Sequence, residues 1–367
     1  MKELPVTSLQ AWVVSFFRAL GSRSEEAVLA AEHLVGANLA GHDSHGVAMI
    51  PLYVDACQAG FLKLNQDIDI VVDTGSMVIA DGRQGVGQSV AHQAMAVAIE
   101  RARTHGIALL GLRNAHHIGR IGHWSEQAID AGLVAIHFTN AMAQTPVVAP
   151  HGGAEARFVT NPFTVGIPRR DGEPIILDFA TSGIAHGKAR VAMNAGKAVP
   201  AGTVINAAGQ PCLDPRVLFE PPIGALKTFA EHKGHALAMV CELLGAAMTG
   251  GVTGRDVHLP KVPGVINNML AILFDPARLG TTESFEREAS GFIAWVQSAR
   301  RDEVGEALGG ILMPGDPERL SRNERACTIP LDDGTLDALA TAATVVNAAR
   351  ADDEDPSLLI DPHDLVV

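Results

Sequence analysis

The stretch MVIADGRQGVGQSV (77–90) decides how the middle of the chain is read. MVIAD (77–81) is strand-like, and Gly85 and Gly87 follow it as a partial G-x-G. A phosphate-cradling turn of the doubly wound kind needs a third glycine three places later, and an acidic residue about 20 positions on at the next strand end. Val90 stands where that third glycine belongs. The glycines therefore read as a turn, and a nucleotide bound by this chain needs another architecture.

Outward from that turn, helix and strand alternate. IDIVVD (68–73) precedes it, separated from MVIAD by a turn around Gly75. A helix over Gln88–Thr104 leads through Gly106 into IALLGL and ends at Asn114. A second, over Trp124–Ala131, leads through Gly132 into LVAIHF and ends at Asn140. RFVTNPFTVGIP, PIILDF and NMLAILFD (268–275) are further strands, so the middle is α/β. The ends are helical: two amphipathic helices over 8–40, a third at Pro51–Cys57, then 283–300 and 335–349. We expect a discontinuous helical domain, 1–74 with 281–367, around a central α/β domain, 75–280. For the second helix, Ser22 and Glu25 fit a capping box, Val28, Ala31, Val35 and Leu39 form the apolar face, and Gly41 is the stop. The acidic segment ADDEDP (351–356) reads as a solvated tail.

With 367 residues, 47% hydrophobic and 19% charged, the chain is an ordinary globular protein with room for two domains. A net charge of −13 argues against nucleic acid or an anionic membrane as partner. Cys57, Cys212, Cys241 and Cys327 are far apart and form no CxxC pair, which fits a reducing cytoplasm. The N-terminus has no basic region followed by a clean apolar run, so no signal peptide is expected. The longest apolar run, ALAMVCELLGAAM (236–248), carries Glu242 and is too short to span a bilayer.

Several polar clusters interrupt this framework. HDSHG (42–46) follows the second helix, placing His42, Asp43, Ser44 and His45 where they can face a cavity or cap backbone. In NAHHIGRIGHW (114–124), His116, His117 and His123 invite a metal. No HxxxH pair is present and the nearest following carboxylate is Glu126, so a ligand cavity bordered by histidine, with Gly119 and Gly122 allowing close approach, is more economical. Asp178 and Phe179 end an apolar strand before a run of small residues, leaving room for a flat ligand or a turn. Lys233 sits at the start of an apolar helix, where free N–H groups and the dipole suit an anion. LMPGDPE (312–318) is a turn whose acids could hold ribose hydroxyls.

Taken together, HDSHG, NAHHIGRIG, TNPFTVGIPR, ILDFATSGIAHGK, AVPAG and HKGHALAMVCELLGAAMTG resemble, in this order, the type-2 malate/L-lactate dehydrogenases. That family also holds ureidoglycolate dehydrogenase, diketogulonate reductase and the cyclic-imine reductases. GHDSHGVAMIPLYV and TFAEHKGHALAMVCE look most like its bacterial hydroxycarboxylate dehydrogenases, and the resemblance covers about Val28 to Pro330. It implies a nicotinamide oxidoreductase using NAD or NADP, a non-Rossmann fold with a mostly antiparallel central sheet, and a homodimer. It implies that His45 exchanges a proton with the substrate oxygen beside Ser44; His117, which should border the cavity, is our reserve for that role. By the same carry-over Gly119, Arg120, Ile121, Ile175, Ile176, Leu177, Asp178, Phe179, His232, Lys233, Asn267, Gly315, Asp316, Pro317 and Glu318 line the cofactor.

Many members carry an arginine four residues after the site histidine, where this chain has Met49. A methionine there suits a longer or aromatic 2-oxo acid. Arg120 is then the candidate clamp on the substrate carboxylate, and Arg113 or Lys188 are alternatives. Competing readings are a cyclic-imine or oxo-sugar-acid reductase of the same family, a metal-dependent hydrolase, and a non-catalytic binding protein.

Overall fold

A computed structural model describes residues 1–194, 196–258, 260–350 and 360–361. The segment 351–356, expected to be a solvated tail, lies outside them. The chain opens with β1 (Lys2–Pro5), α1 (Val6–Leu20), α2 (Ser24–Leu39) and α3 (Ile50–Gln58). It continues through β2 (Asp69–Asp73), β3 (Met77–Asp81), α4 (Gly87–His105), β4 (Ile107–His116), α5 (Gly122–Asp130) and β5 (Val134–Ala143). Next come β6 (Phe163–Ile167), β7 (Ile175–Phe179), α6 (His186–Asn194), and the short strands β8 (Val204–Ile205), β9 (Pro211–Cys212) and β10 (Ala225–Leu226). The rest is α7 (His232–Val240), β11 (Val265–Phe274), α8 (Thr282–Gln297), α9 (Glu303–Ala307), α10 (Asp316–Glu324), β12 (Thr328–Leu331) and α11 (Asp333–Ala349).

Among the described residues, seven strands form the main sheet in the order β2-β3-β4-β11-β5-β6-β7. Only β3 and β4 run parallel; every other neighbouring pair is antiparallel. The parallel pair follows from α4, which carries the chain back across the sheet. Val78, Ala80, Leu110, Leu112, Met269 and Ala271 bury one face under α4 and α5. On the other face α7, continuing as a π-helical stretch Cys241–Ala247, packs on β5 and β11. Burial on both faces explains why the central strands read as apolar runs. The two chain ends share a second core, in which Leu9, Phe16, Phe17, Leu34 and Tyr53 meet Ile329, Leu339 and Val346. β1 pairs with β12 across that junction.

The glycine turn is structural. A Cβ on Gly87 would fall 2.1 Å from the His117 carbonyl, so the first turn of α4 is packed against 116–117 and leaves no room for a phosphate. Val90, in the first turn of α4, is fully buried in the core between that helix and the sheet. The expected capping box does not form: α2 begins at Ser24, and the Ser22 hydroxyl donates to Glu26 (2.7 Å) rather than pairing with Glu25. Glu26 is buried because it also accepts from the backbone of Asn65. The apolar face of α2 is broader than expected: Val28 is exposed, Ala31 and Val35 are buried as expected, and Ala27, Ala30 and Leu34 are buried with them. RFVTNPFTVGIP keeps only Phe163–Ile167 as strand, and α10 occupies a segment read as a turn.

Candidate active site

α2 ends against the polar loop it was expected to precede, and its Asn38 shapes that loop. Asn38 donates to Asp43 (2.7 Å) and accepts from the backbone of Val47 (2.9 Å). A Cβ on Gly46 would lie 2.1 Å from the Asn38 oxygen, so only glycine lets the loop close this tightly. Two further ties reach α10. His42 Nε2 meets Glu318 Oε1 at 3.0 Å, and Arg325 donates to both Asp43 and the Asn38 carbonyl. His42 and Asp43 are thus anchors, while Ser44 packs against Gly187 of α6 and His45 against His117. Ser44 Oγ lies 3.1 Å from His45 Nδ1, which leaves Nε2 of His45 for exchange with a ligand.

His117 stacks beside His45, ring centroids 5.6 Å apart and planes 22° apart. Its Nδ1 is 2.6 Å from the hydroxyl of Tyr53, which in turn accepts from Gln88 (2.9 Å). Burial pushes His45 down to about 4, reinforced by His42 and opposed by Asp178. Burial, then His45 and His116, hold His117 well below the ordinary range. Both rings are neutral at pH 7.

The loop from 118 to 121 is held from several sides. Ile118 N–H donates to Asn267 (2.9 Å), Arg120 N–H to His33 Nε2 (2.9 Å), and Trp124 to the Ile118 carbonyl (3.2 Å). Asp178 accepts from Gly122 N (2.9 Å) and Thr164 (3.0 Å), so it caps α5 rather than the helix after it. Arg120 is 3% exposed; its Nη2 is 2.6 Å from Glu126, and its Nη1 is 3.7 Å from Asp178 with no hydrogen-bond partner. One prong of the expected fork is therefore taken. Burial raises Glu126, but Arg120 and Arg322 outweigh it and keep the carboxyl below its ordinary value.

The remaining candidates cluster unevenly. Ile176 N–H donates to the Pro314 carbonyl (3.1 Å), which brings Ile175–Phe179 alongside Gly315–Glu318 at the start of α10. Phe179 lies edge-on to Phe229 (5.3 Å), just before His232 and Lys233, both exposed at the start of α7. Asn267 is buried with both ends of its amide spent, on Ile118 N and the Asn140 carbonyl (3.0 Å). Met49 packs at the margin of the helical core. His123 sits against His33 (4.4 Å) and His116 against Tyr53 (5.4 Å). Among the described residues no three His, Cys, Asp or Glu side chains are placed to hold a metal ion. Sequence reasoning passed over Tyr53, Gln88, His33 and Arg325. Tyr53 carried one signal: it is the chain's single tyrosine.

With this geometry in view, the comparisons are decisive. The malate/L-lactate dehydrogenase family model matches residues 4–340. The chain belongs to that family. It is 45% identical over 338 residues to hydroxycarboxylate dehydrogenase B of Escherichia coli K12, covering 92% of each chain. It is 35% identical to an L-lactate dehydrogenase of Cupriavidus necator, covering 87% of this chain and 90% of that one. Among solved structures, the delta1-piperideine-2-carboxylate reductase of Pseudomonas syringae superposes with a TM-score of 0.79 at 30% identity, covering 93% of this chain and 100% of that one. As a member of the malate/L-lactate dehydrogenase family the chain is an oxidoreductase. No helix among the described residues is long and apolar enough to cross a membrane.

Proposed function

We propose that the chain moves a hydride between NAD(H) or NADP(H) and a 2-hydroxy or 2-oxo acid, with His45 exchanging the proton at the substrate oxygen. The observation that carries this is the neutral His45 ring, fixed by Ser44 and stacked on His117 in the loop that leads to Gly119–Ile121. A nicotinamide supplies the hydride chemistry when bound. The residues present fit such a dinucleotide. Lys233 offers an exposed ammonium at a helix start, and Ile175–Phe179 an edge beside Gly315–Glu318. These residues would hold it without a doubly wound turn, since the start of α4 is filled by 116–117.

On the substrate side, Met49 and Arg120 are the proposed specificity groups. With one prong on Glu126, Arg120 offers a carboxylate a single bond, and Met49 offers apolar room. This favours a longer acid over a small one. A cyclic-imine reductase is the alternative within the family, since the Pseudomonas reductase shares the fold.

The same reading includes a homodimer in the cytoplasm, built from a helical unit, 1–74 with 281–367, and a central unit, 75–280. The four unpaired cysteines support a reducing compartment. α8 supports a second copy: it buries only Glu286 and leaves Phe285, Phe292 and Trp295 exposed, and a lone helix of this length is marginal in water.

Nicotinamide fluorescence titration after exhaustive chelation tests the proposal. Saturable binding of NADH or NADPH by the metal-free protein is expected. Binding of neither, or binding only after metal is restored, would favour a metal-dependent hydrolase.

A further inference from the structure

We propose that Tyr53 and Gln88 fix His117 as an imidazole with its proton on Nε2, and that this N–H binds the substrate carboxylate. The inference rests on the acid-reducing reading above and assigns positioning roles to two residues outside the expected site.

The chain of bonds has one direction. Arg120 N–H donates to His33 Nε2 (2.9 Å). His33 is buried and held neutral by that burial, so its proton is on Nδ1. Nδ1 of His33 and Oε1 of Gln88 are both buried without a hydrogen-bond partner, and both residues line one cavity of ≈ 210 Å³. Gln88 Nε2 then donates to the Tyr53 oxygen (2.9 Å). The phenol's single proton goes to His117 Nδ1, at 2.6 Å. A neutral imidazole that accepts at Nδ1 carries its hydrogen on Nε2.

The reverse chain would turn the Gln88 amide and present a bare Nε2 on His117. With the amide as it stands, Gln88 donates to the Tyr53 oxygen, and the single Tyr53 proton is left for His117.

The two stacked rings then divide the work. His45 exchanges the proton. His117 cannot accept one on Nε2, so it acts as a fixed donor. A second fixed donor is what this site lacks, since residue 49 is methionine and Arg120, with one prong on Glu126, offers a carboxylate a single bond. A charge-assisted bond from a neutral donor needs no further buried cation.

The test is ¹⁵N spectroscopy of histidine-labelled protein, with the His117 signals assigned by their loss in His117→Gln. The free enzyme is expected to show His117 as the Nε2–H tautomer at pH 7, and Tyr53→Phe to show a mixture. In steady state, Tyr53→Phe should raise the Michaelis constant for 2-oxo acids about tenfold. Nicotinamide affinity should be unchanged and kcat should stay within about threefold. His117→Gln, which keeps an amide N–H near the same reach, should lose less substrate affinity than His117→Ala. An Nδ1–H or doubly protonated His117 in the wild type overturns the proposal. So does a Tyr53→Phe variant whose kcat falls while its Michaelis constant holds, which would put the bond on the proton step. Should Tyr53→Phe fail to fold, the wild-type tautomer and the His117 pair still decide. The tautomer is read without substrate, so it stands apart from any failure of the wild type to reduce 2-oxo acids.

Discussion

Replacing His45 by alanine is expected to lower turnover by about two to four orders of magnitude, the range for losing a general acid/base. The hydride step requires a proton to arrive at or leave the substrate oxygen, and Ser44 holds His45 Nδ1 so that Nε2 can serve. Nicotinamide affinity should barely change. The direction of catalysis adds a pH signature. His45 lies at about 4, so its neutral form dominates at pH 7 and is ready to take a proton from a hydroxy acid. Reduction needs the imidazolium. Its kcat/KM should fall with rising pH above about 4, approaching tenfold per unit, while oxidation stays flat there. Stopped-flow nicotinamide fluorescence and steady-state assays of both directions, on wild type and His45→Ala, check this. Turnover surviving within a factor of a few would move the proton elsewhere, with His117 the first place to look.

Acid should unfold this protein early. His33, His116, His117 and His137 are each 8% exposed or less, and burial lowers all four, His116 and His137 to about 3. The sign follows from proton binding. Below about pH 6.5 the unfolded histidines take protons that the folded ones refuse, so stability is full above that pH and is lost as pH falls toward the folded values. At pH 5 His116 and His137, each held to about 3, cost about 2 kcal/mol apiece relative to neutrality, a large share of the stability of a typical domain, and His33 and His117 act in the same direction. Urea midpoints measured at pH 7.5 and 5.5 should separate widely, and the native state should be lost near pH 5. Equal midpoints would mean that these rings are hydrated or already charged in the folded state.

The succession of helices and strands along the chain was legible because the strands are apolar runs bounded by Gly75, Gly106 and Gly132, all with left-handed backbone. The partial G-x-G was readable as a turn because Val90 breaks the pattern. That the turn is plugged by the His116–His117 backbone needed the tertiary contact at Gly87. Pairing of β1 with β12 joins the two ends of the chain, which no local pattern encodes. The site was half legible. HDSHG and NAHHIGRIG announced themselves as polar clusters, and the fold brings His45 and His117 together. Asn267 could not be separated from a cofactor ligand by sequence; its amide is spent on the 118 loop and on Asn140. The Arg120 pairing with Glu126 depends on how the loop before α5 turns, which is set by Asp178 from another strand. Tyr53 was hidden because IPLYV reads as one face of an apolar helix, and its hydroxyl meets His117 only in the folded core.

The most direct measurement follows one hydrogen. Metal-free protein is incubated with a 2-oxo acid and NADH or NADPH deuterated at the transferable C4 position, and the product is read by proton NMR. Deuterium at C2 of a single 2-hydroxy acid enantiomer is the expected result. Product labelled only from solvent, or no product from any 2-oxo acid with either cofactor, would contradict the assignment of this chain as a nicotinamide-dependent 2-hydroxy acid oxidoreductase.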